Sequence, residues 1–286
     1  MPYVRIDDIN IYYQVVGDLT NNKPCLIFLH GGAGMADHSI YVSFWSRLSE
    51  QVNVIFVDQR GCGRSDRGDP RKWNIEQHGK DVFLLCETLG IEKPIVAGVS
   101  WGGYVAISYA IQYPDHPMGL ILCNTEAKVS PAARYEAFLR VANAEAANAV
   151  AAFDSNWNAE TNAEYFRLCL PFYAKRAYTP EELAGCIRNP DLWAKYMLEE
   201  HAKFDFIPDL PKIHCPVLHL AGDNDPVHPV ASAIETAEHI GQSCELIIIK
   251  NTGDPVYRDQ PDETFDVMSG FIDKLNIHLN YRCPVC

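Results

Sequence analysis

Apolar positions along the chain follow two rhythms. The first seventeen residues alternate apolar with polar, which suits two antiparallel strands bending near Asp7-Asp8. From residue 24 the strand candidates change character. Residues 24–29, 52–57, 94–97, 119–123, 216–221 and 245–249 are short, nearly continuous apolar runs. Such a run buries both faces of a strand, as in a parallel sheet covered by helices on both sides. Helical patterns separate the runs: an amphipathic stretch around Phe44, Trp45 and Leu48, then 74–89, 104–110, 230–240 and 261–275. Strands alternating with helices predict an α/β fold built on a mostly parallel, eight-stranded sheet.

The alternation stops between residues 127 and 208. Patterns there are helical and rich in Ala and aromatics, with start signals at Ser130-Pro131, Thr179-Pro180-Glu181-Glu182 and Asn189-Pro190-Asp191. No strand candidate intervenes. The simplest organisation is a core of residues 1–126 and 209–286 with an inserted helical lid, or cap, over the C-terminal edge of the sheet. Most of the lid aromatics are expected to pack it against the body.

Composition narrows the partners. A formal charge of −13 repels nucleic acid and anionic membrane surfaces, and no basic run offsets it. The first residues lack the apolar core of a signal peptide, and no apolar stretch approaches a membrane span. A cytoplasmic protein acting on a small molecule is therefore expected, with homo-oligomerisation left open. Cys25, Cys123, Cys215 and Cys244 sit at the start of or inside apolar strand patterns and read as small hydrophobes. Cys283-Pro284-Val285-Cys286 is a solitary C-x-x-C with no second pair, so it reads as a frayed tail. No metal or organic cofactor is implied.

The candidate chemistry lies in Gly98-Val99-Ser100-Trp101-Gly102-Gly103, between a strand and an apolar helix. This G-x-S-x-G pattern lifts a serine hydroxyl above a sheet edge and aims helix N-terminal amides beside it. Three further loops lie at the same strand ends: His30-Gly31-Gly32-Ala33-Gly34, the segment 58–66, and Gly222-Asp223-Asn224-Asp225-Pro226-Val227-His228-Pro229. Together the four loops resemble the α/β-hydrolase superfamily over nearly the whole chain apart from the lid. Asp58-Gln59-Arg60-Gly61-Cys62-Gly63-Arg64-Ser65 and the Ser100 motif are most similar to the proline iminopeptidase branch. The resemblance implies Ser100 as nucleophile and the Trp101 and Gly32 amides as an oxyanion hole. It implies Asp225 as the acid that orients a histidine, with Asp223 and Glu126 as less usual competitors, and His30 as a loop-shaping residue.

One departure stands out. The family carries its catalytic histidine after the last strand, where this sequence reads Asn251-Thr252-Gly253-Asp254-Pro255. Asp254 holds that position, and His278 is expected beyond the last helix. An isolated carboxylate is a weak base towards a serine hydroxyl at neutral pH, and a second carboxylate nearby raises its pKa. Three readings remain open. The site is inactive or impaired as written; or His228, three residues past Asp225, substitutes as base; or the pocket binds or transforms a small molecule without hydrolysis.

As a hydrolase, the chain would cleave a small ester, lactone or amide, including an N-terminal peptide residue, through an acyl-Ser100. Ser at position 100 argues against branches that use a carboxylate nucleophile. Candidate substrate contacts are His30, Gly31, Glu126, Trp157, Tyr173 and Trp193. Aminopeptidase activity would need acidic lid groups to hold an ammonium, for which Glu199, Glu200 and Glu126 are available.

Overall fold

The structure, a computed structural model, describes residues 2–176 and 178–281. Eight strands form one sheet: β1 (Tyr3–Ile6), β2 (Ile9–Val16), β3 (Cys25–Leu29), β4 (Asn53–Val57), β5 (Ile95–Val99), β6 (Gly119–Cys123), β7 (Val217–Gly222) and β8 (Cys244–Ile249). Their order across the sheet is β1-β2-β4-β3-β5-β6-β7-β8. The alternating N-terminal segment makes the antiparallel pairs β1/β2 and β2/β4, and every later pairing is parallel.

Eleven helices accompany them: α1 (Val42–Trp45), α2 (Ile75–Leu89), α3 (Trp101–Gln112), α4 (Pro131–Val141), α5 (Ala144–Ser155), α6 (Ala159–Cys169), α7 (Pro180–Leu183), α8 (Pro190–Glu199), α9 (Val230–Ile240), α10 (Val256–Asp259) and α11 (Pro261–Tyr281). Successive strand residues point to opposite faces, so a continuous apolar run feeds two cores at once. On one face Ile27, Leu29, Val96 and Leu122 pack with Leu85 of α2 and Val105 of α3. On the other, Leu26, Phe28, Ala97 and Ile121 pack with Trp45 of α1 and with Met268 and Ile272 of α11. Each fully buried Leu, Ile or Phe contributes about 1.5–3 kcal/mol relative to exposure.

Between β6 and β7 the described residues form only helices and loops, α4 to α8 among them. The three start signals are observed as caps: Ser130 accepts from Ala133 N–H, Thr179 from Glu182 N–H in a capping box, and Asn189 from Leu192 N–H. Hydrogen bonds tie this segment to the loops at the sheet's C-terminal edge. Asn189 N–H donates to the Gly34 carbonyl (2.7 Å), and Asp254 N–H donates to that of Tyr173 (2.6 Å).

Two boundaries differ from the sequence reading. β5 runs on to Val99, so the strand reaches Ser100 without an intervening loop. The last helix extends to Tyr281, which puts position 278 inside α11 rather than beyond it. Pro261 at its start is clear from sequence, but an amphipathic pattern that loses its apolar face near Leu275 hides the final turns. Cys283 and Cys286 lie outside the described residues. The eight described cysteines are all free thiols, and no described helix is long and apolar enough to cross a membrane.

Candidate active site

Ser100 alone turns the chain from β5 into α3. Its φ of 51° and ψ of −121° lie in a region that L residues occupy at a cost of about 1–3 kcal/mol, so the surroundings must hold it. They do. Ser100 N–H is shared between the Cys123 carbonyl (3.1 Å) and the Asn124 carbonyl (3.0 Å), and Thr125 Oγ1 donates to the Ser100 carbonyl at 2.8 Å. A Cβ at Gly98 would overlap the Gly102 carbonyl, and one at Gly102 would overlap that of Leu29. Close packing demands both glycines, as the sequence reading expects.

Ser100 lines a cavity of about 570 Å³ together with Gly32 and Trp101. β3 and β5 are neighbours in the sheet although β4 separates them in sequence, so the loop after β3 lies against the Ser100 turn. The Trp101 N–H opens α3, and the Gly32 N–H belongs to a residue at φ 68° in that loop. Neither donates to a protein group among the described residues. His30 shapes the same loop from below: Nδ1–H donates to the Gly31 carbonyl (2.9 Å), and its own carbonyl accepts from Gln59 Nε2 (2.9 Å). Burial pushes its pKa down, which suits a neutral structural ring. It does not line the cavity.

His228 Nε2 lies 3.1 Å from Ser100 Oγ. The histidine sits between β7 and α9, and Asp225 shapes its turn. Asp225 Oδ1 accepts the N–H groups of Val227 (2.7 Å) and His228 (2.8 Å), and Oδ2 accepts from Asn124 Nδ2 (2.8 Å). Asn124, at φ 44°, also donates to the Gly253 carbonyl (3.0 Å) and accepts Val256 N–H (2.9 Å), which joins the ends of β6, β7 and β8. The expectation that Asp225 faces a histidine ring needs correction, since its hydrogen bonds go to backbone and to Asn124. Asp223 accepts Thr252 N–H at 3.2 Å and lies outside the cavity lining.

The carboxylate facing the ring is Glu126, three residues past β6, with Oε1 3.4 Å from His228 Nδ1. Glu126 is 1% exposed, and its oxygens accept no hydrogen bond among the described residues. A buried carboxylate so placed depends on nearby positive charge. Burial depresses the His228 pKa, but Glu126, with Asp225 behind it, more than compensates and raises it above the ordinary imidazole value. The same carboxylate favours the tautomer with hydrogen on Nδ1, which leaves Nε2 free to accept from Ser100.

Asp254 lines the cavity but makes no hydrogen bond to Ser100, and its carboxyl has no such partner among the described residues. Burial and the neighbouring Asp225 push its pKa up to about 8, against a smaller opposing effect of His228. A carboxyl that holds its proton at neutral pH cannot accept another from serine. The position that carries the base in the resembled family is therefore not the one bonded to Ser100 here.

Of the expected substrate contacts, Gly31, Glu126, Tyr173 and Trp193 line the cavity. Trp157 does not, since its Nε1–H is turned to Asn162 Oδ1 at 3.2 Å. The acids at the end of α8 are spent elsewhere. Glu200 accepts Ile75 N–H at the start of α2 (2.9 Å), and Glu199 pairs with Lys195 on the surface of α8. Sequence reasoning missed the cavity's far wall. Arg134 of α4 is 3% exposed, pairs with Asp154 of α5, and donates to Tyr165 OH (3.0 Å); His201 Nε2 lies 2.9 Å from the same Asp154. A charged residue amid the apolar positions of α4 is the one sequence signal that could have disclosed it.

Comparison with known proteins follows the same lines. The sequence model described as alpha/beta hydrolase fold matches residues 24–259. The proline iminopeptidase PfmaB of Pestalotiopsis fici is 26% identical over 95% of this chain and 99% of its own length. A proline iminopeptidase of Thermoplasma volcanium is 36% identical over 42% of this chain and 40% of its own. Among solved structures, the proline iminopeptidase of Mycobacterium smegmatis superposes with a TM-score of 0.75 at 23% identity, covering 97% of this chain and 99% of that one. An enol-lactonase of Burkholderia xenovorans gives 0.70 at 22% identity, covering 96% and 100%.

Proposed function

We propose that this chain, which belongs to the alpha/beta hydrolase fold family, is a serine hydrolase whose base is His228 and whose orienting acid is Glu126. The observation that carries this reading is the 3.1 Å approach of His228 Nε2 to Ser100 Oγ beside two amides without protein partners among the described residues. His228 takes the serine proton as Oγ attacks the acyl carbon. The Trp101 and Gly32 N–H groups receive the oxyanion, each worth on the order of 3 kcal/mol of barrier. Glu126 stabilises the imidazolium, which then protonates the leaving group. Water, activated by the same ring, releases the acyl group and restores Ser100.

Residues 127–208 serve as a cap in this reading, and the substrate is a small ester, lactone or amide. Tyr104, Phe153, Tyr165, Tyr173, Trp193 and Tyr196 line the cavity and favour an apolar or aromatic acyl group. An N-terminal peptide residue fits less well, because Glu199 and Glu200 stand outside the cavity and Glu126, which lines it, is turned to His228. The proline iminopeptidase relatives nevertheless put a prolyl anilide on the test panel. Short-chain p-nitrophenyl esters, aliphatic and aromatic lactones and L-proline p-nitroanilide are to be assayed against wild type and Ser100→Ala. Turnover of an ester or lactone that disappears in Ser100→Ala supports the proposal. No turnover of any member of the panel, or turnover that survives the substitution, overturns it.

A further inference from the structure

Among the described residues, Glu126 and Asp254 are the two carboxyl groups on the cavity wall, and their surroundings differ. Glu126 faces the ring of His228. Asp254 faces the cavity with no hydrogen-bond partner among the described residues, while its neighbour Asp225 accepts three N–H donors. Two adjacent carboxyls, Asp225 buried and Asp254 partly buried at the cavity wall, resist double ionisation, and the one surrounded by donors keeps the negative charge. The proton therefore resides on Asp254, in a cavity whose lining also includes Arg134, Arg176, Arg188 and Arg258.

From this arrangement we infer that Asp254 is a neutral acid whose O–H donates a hydrogen bond to an uncharged oxygen of the substrate. It thereby selects esters and lactones over substrates bearing an ammonium group. A carboxylic O–H meets a carbonyl, alkoxy or ring oxygen with the right polarity, whereas an ammonium offers only donors and needs an anion. Arg176 and Arg188 on the same lining oppose a cation further. On this reading the position that the resemblance assigns to the base is a specificity determinant instead. The inference rests on the proposed hydrolase reading.

The groups facing Asp254 are Asp225 and His228 after β7, Cys123 at the end of β6, Tyr41 in the segment after β3, Tyr104 of α3, and Tyr173 and Tyr178 from the insert. Burial pushes the Cys123 thiol and the four phenols up, so they stay neutral across the working range. Arg258, on the same wall, is held charged by Glu182. Asp254, pushed up to about 8, and His228, raised above the ordinary imidazole value, are therefore the groups of this cluster that titrate across the working range, and losing the limb in the Asp254 variants tells the two apart.

The test compares wild type, Asp254→Ala and Asp254→Asn on p-nitrophenyl butyrate and L-proline p-nitroanilide between pH 5.5 and 9.5. Labelling of Ser100 by a fluorophosphonate is read in parallel. The inference predicts that wild type prefers the ester and that its kcat/KM falls as pH rises through about 8. Asp254→Ala lowers ester kcat/KM about tenfold at pH 6.5, the effect of one lost hydrogen bond. Asp254→Asn, which keeps an N–H donor, recovers most of that loss, and neither variant shows the alkaline limb. An alkaline limb unchanged in both variants, or a wild-type preference for the prolyl anilide, overturns the inference while Ser100 labelling leaves the hydrolase reading standing. Absence of Ser100 labelling in wild type overturns both.

Discussion

Replacing Glu126 by Gln keeps the shape of the side chain and removes its charge, which isolates what the carboxylate does for His228. At 3.4 Å and an effective dielectric of about 20, two unit charges attract by about 5 kcal/mol. That figure is a ceiling, because Asp225 also acts on the ring and burial opposes its charging. Measured shifts for opposite charges this close run to about 1–3 pH units. Removing the larger of the favourable influences should lower the His228 pKa by about 1–2 units. In the proposed mechanism the neutral ring is the active base, so the acid limb of kcat/KM moves to lower pH in Glu126→Gln. The height of the profile also falls, since loss of an orienting carboxylate in a serine hydrolase has lowered turnover by up to about 10⁴-fold. The assay is ester hydrolysis from pH 4.5 to 8.5 with wild type and variant. An acid limb that stays at the wild-type position would refute the pairing of Glu126 with His228.

Three further predictions concern the scaffold. Gly102→Ala pushes a Cβ into the Leu29 carbonyl at the foot of the Ser100 turn, so its thermal midpoint should fall by several degrees, with weaker Ser100 labelling. Arg134→Met leaves Asp154 without its main counter-charge behind the cavity; a loss of about 3–5 kcal/mol in urea unfolding is expected, and a neutral result would contradict the ion-pair account. Glu200 has its pKa raised by burial from 4.5 to about 7, so the folded state prefers the protonated form. Its stabilising contribution is present below pH 4.5 and is lost as pH rises towards 7, so Glu200→Gln should raise the midpoint at pH 8 relative to wild type and change it little at pH 4.5.

Much of this architecture was legible because parallel strands buried on both faces are written as continuous apolar runs, and residues 24–29 and 52–57 could hardly be anything else. The Ser100 turn was equally readable, since Gly98 and Gly102 are demanded by local contacts. The division of labour among the acids was not. Asp225 and Asp223 differ only by two positions in sequence, and whether a carboxylate meets a ring or a backbone N–H depends on a turn that spacing does not reveal. His228 was visible as a candidate, yet its partner Glu126 arrives from β6, some hundred residues away, through the adjacency of β6 and β7. The cavity wall from Arg134 and His201, with Asp154 behind it, depends on how α4, α5 and the end of α8 pack, which alanine-rich helices with weak apolar stripes leave undetermined.

The most direct test of the central claim is the rate at which a fluorophosphonate modifies Ser100, read by intact-protein mass, in wild type and in His228→Ala. If His228 is the base, wild type is labelled at Ser100 and the variant reacts at least about a hundredfold more slowly, the scale of a lost general base. Equal labelling of the two proteins, or labelling that fails only when Asp254 is replaced, would return the base role to the loop after β8 and contradict the account.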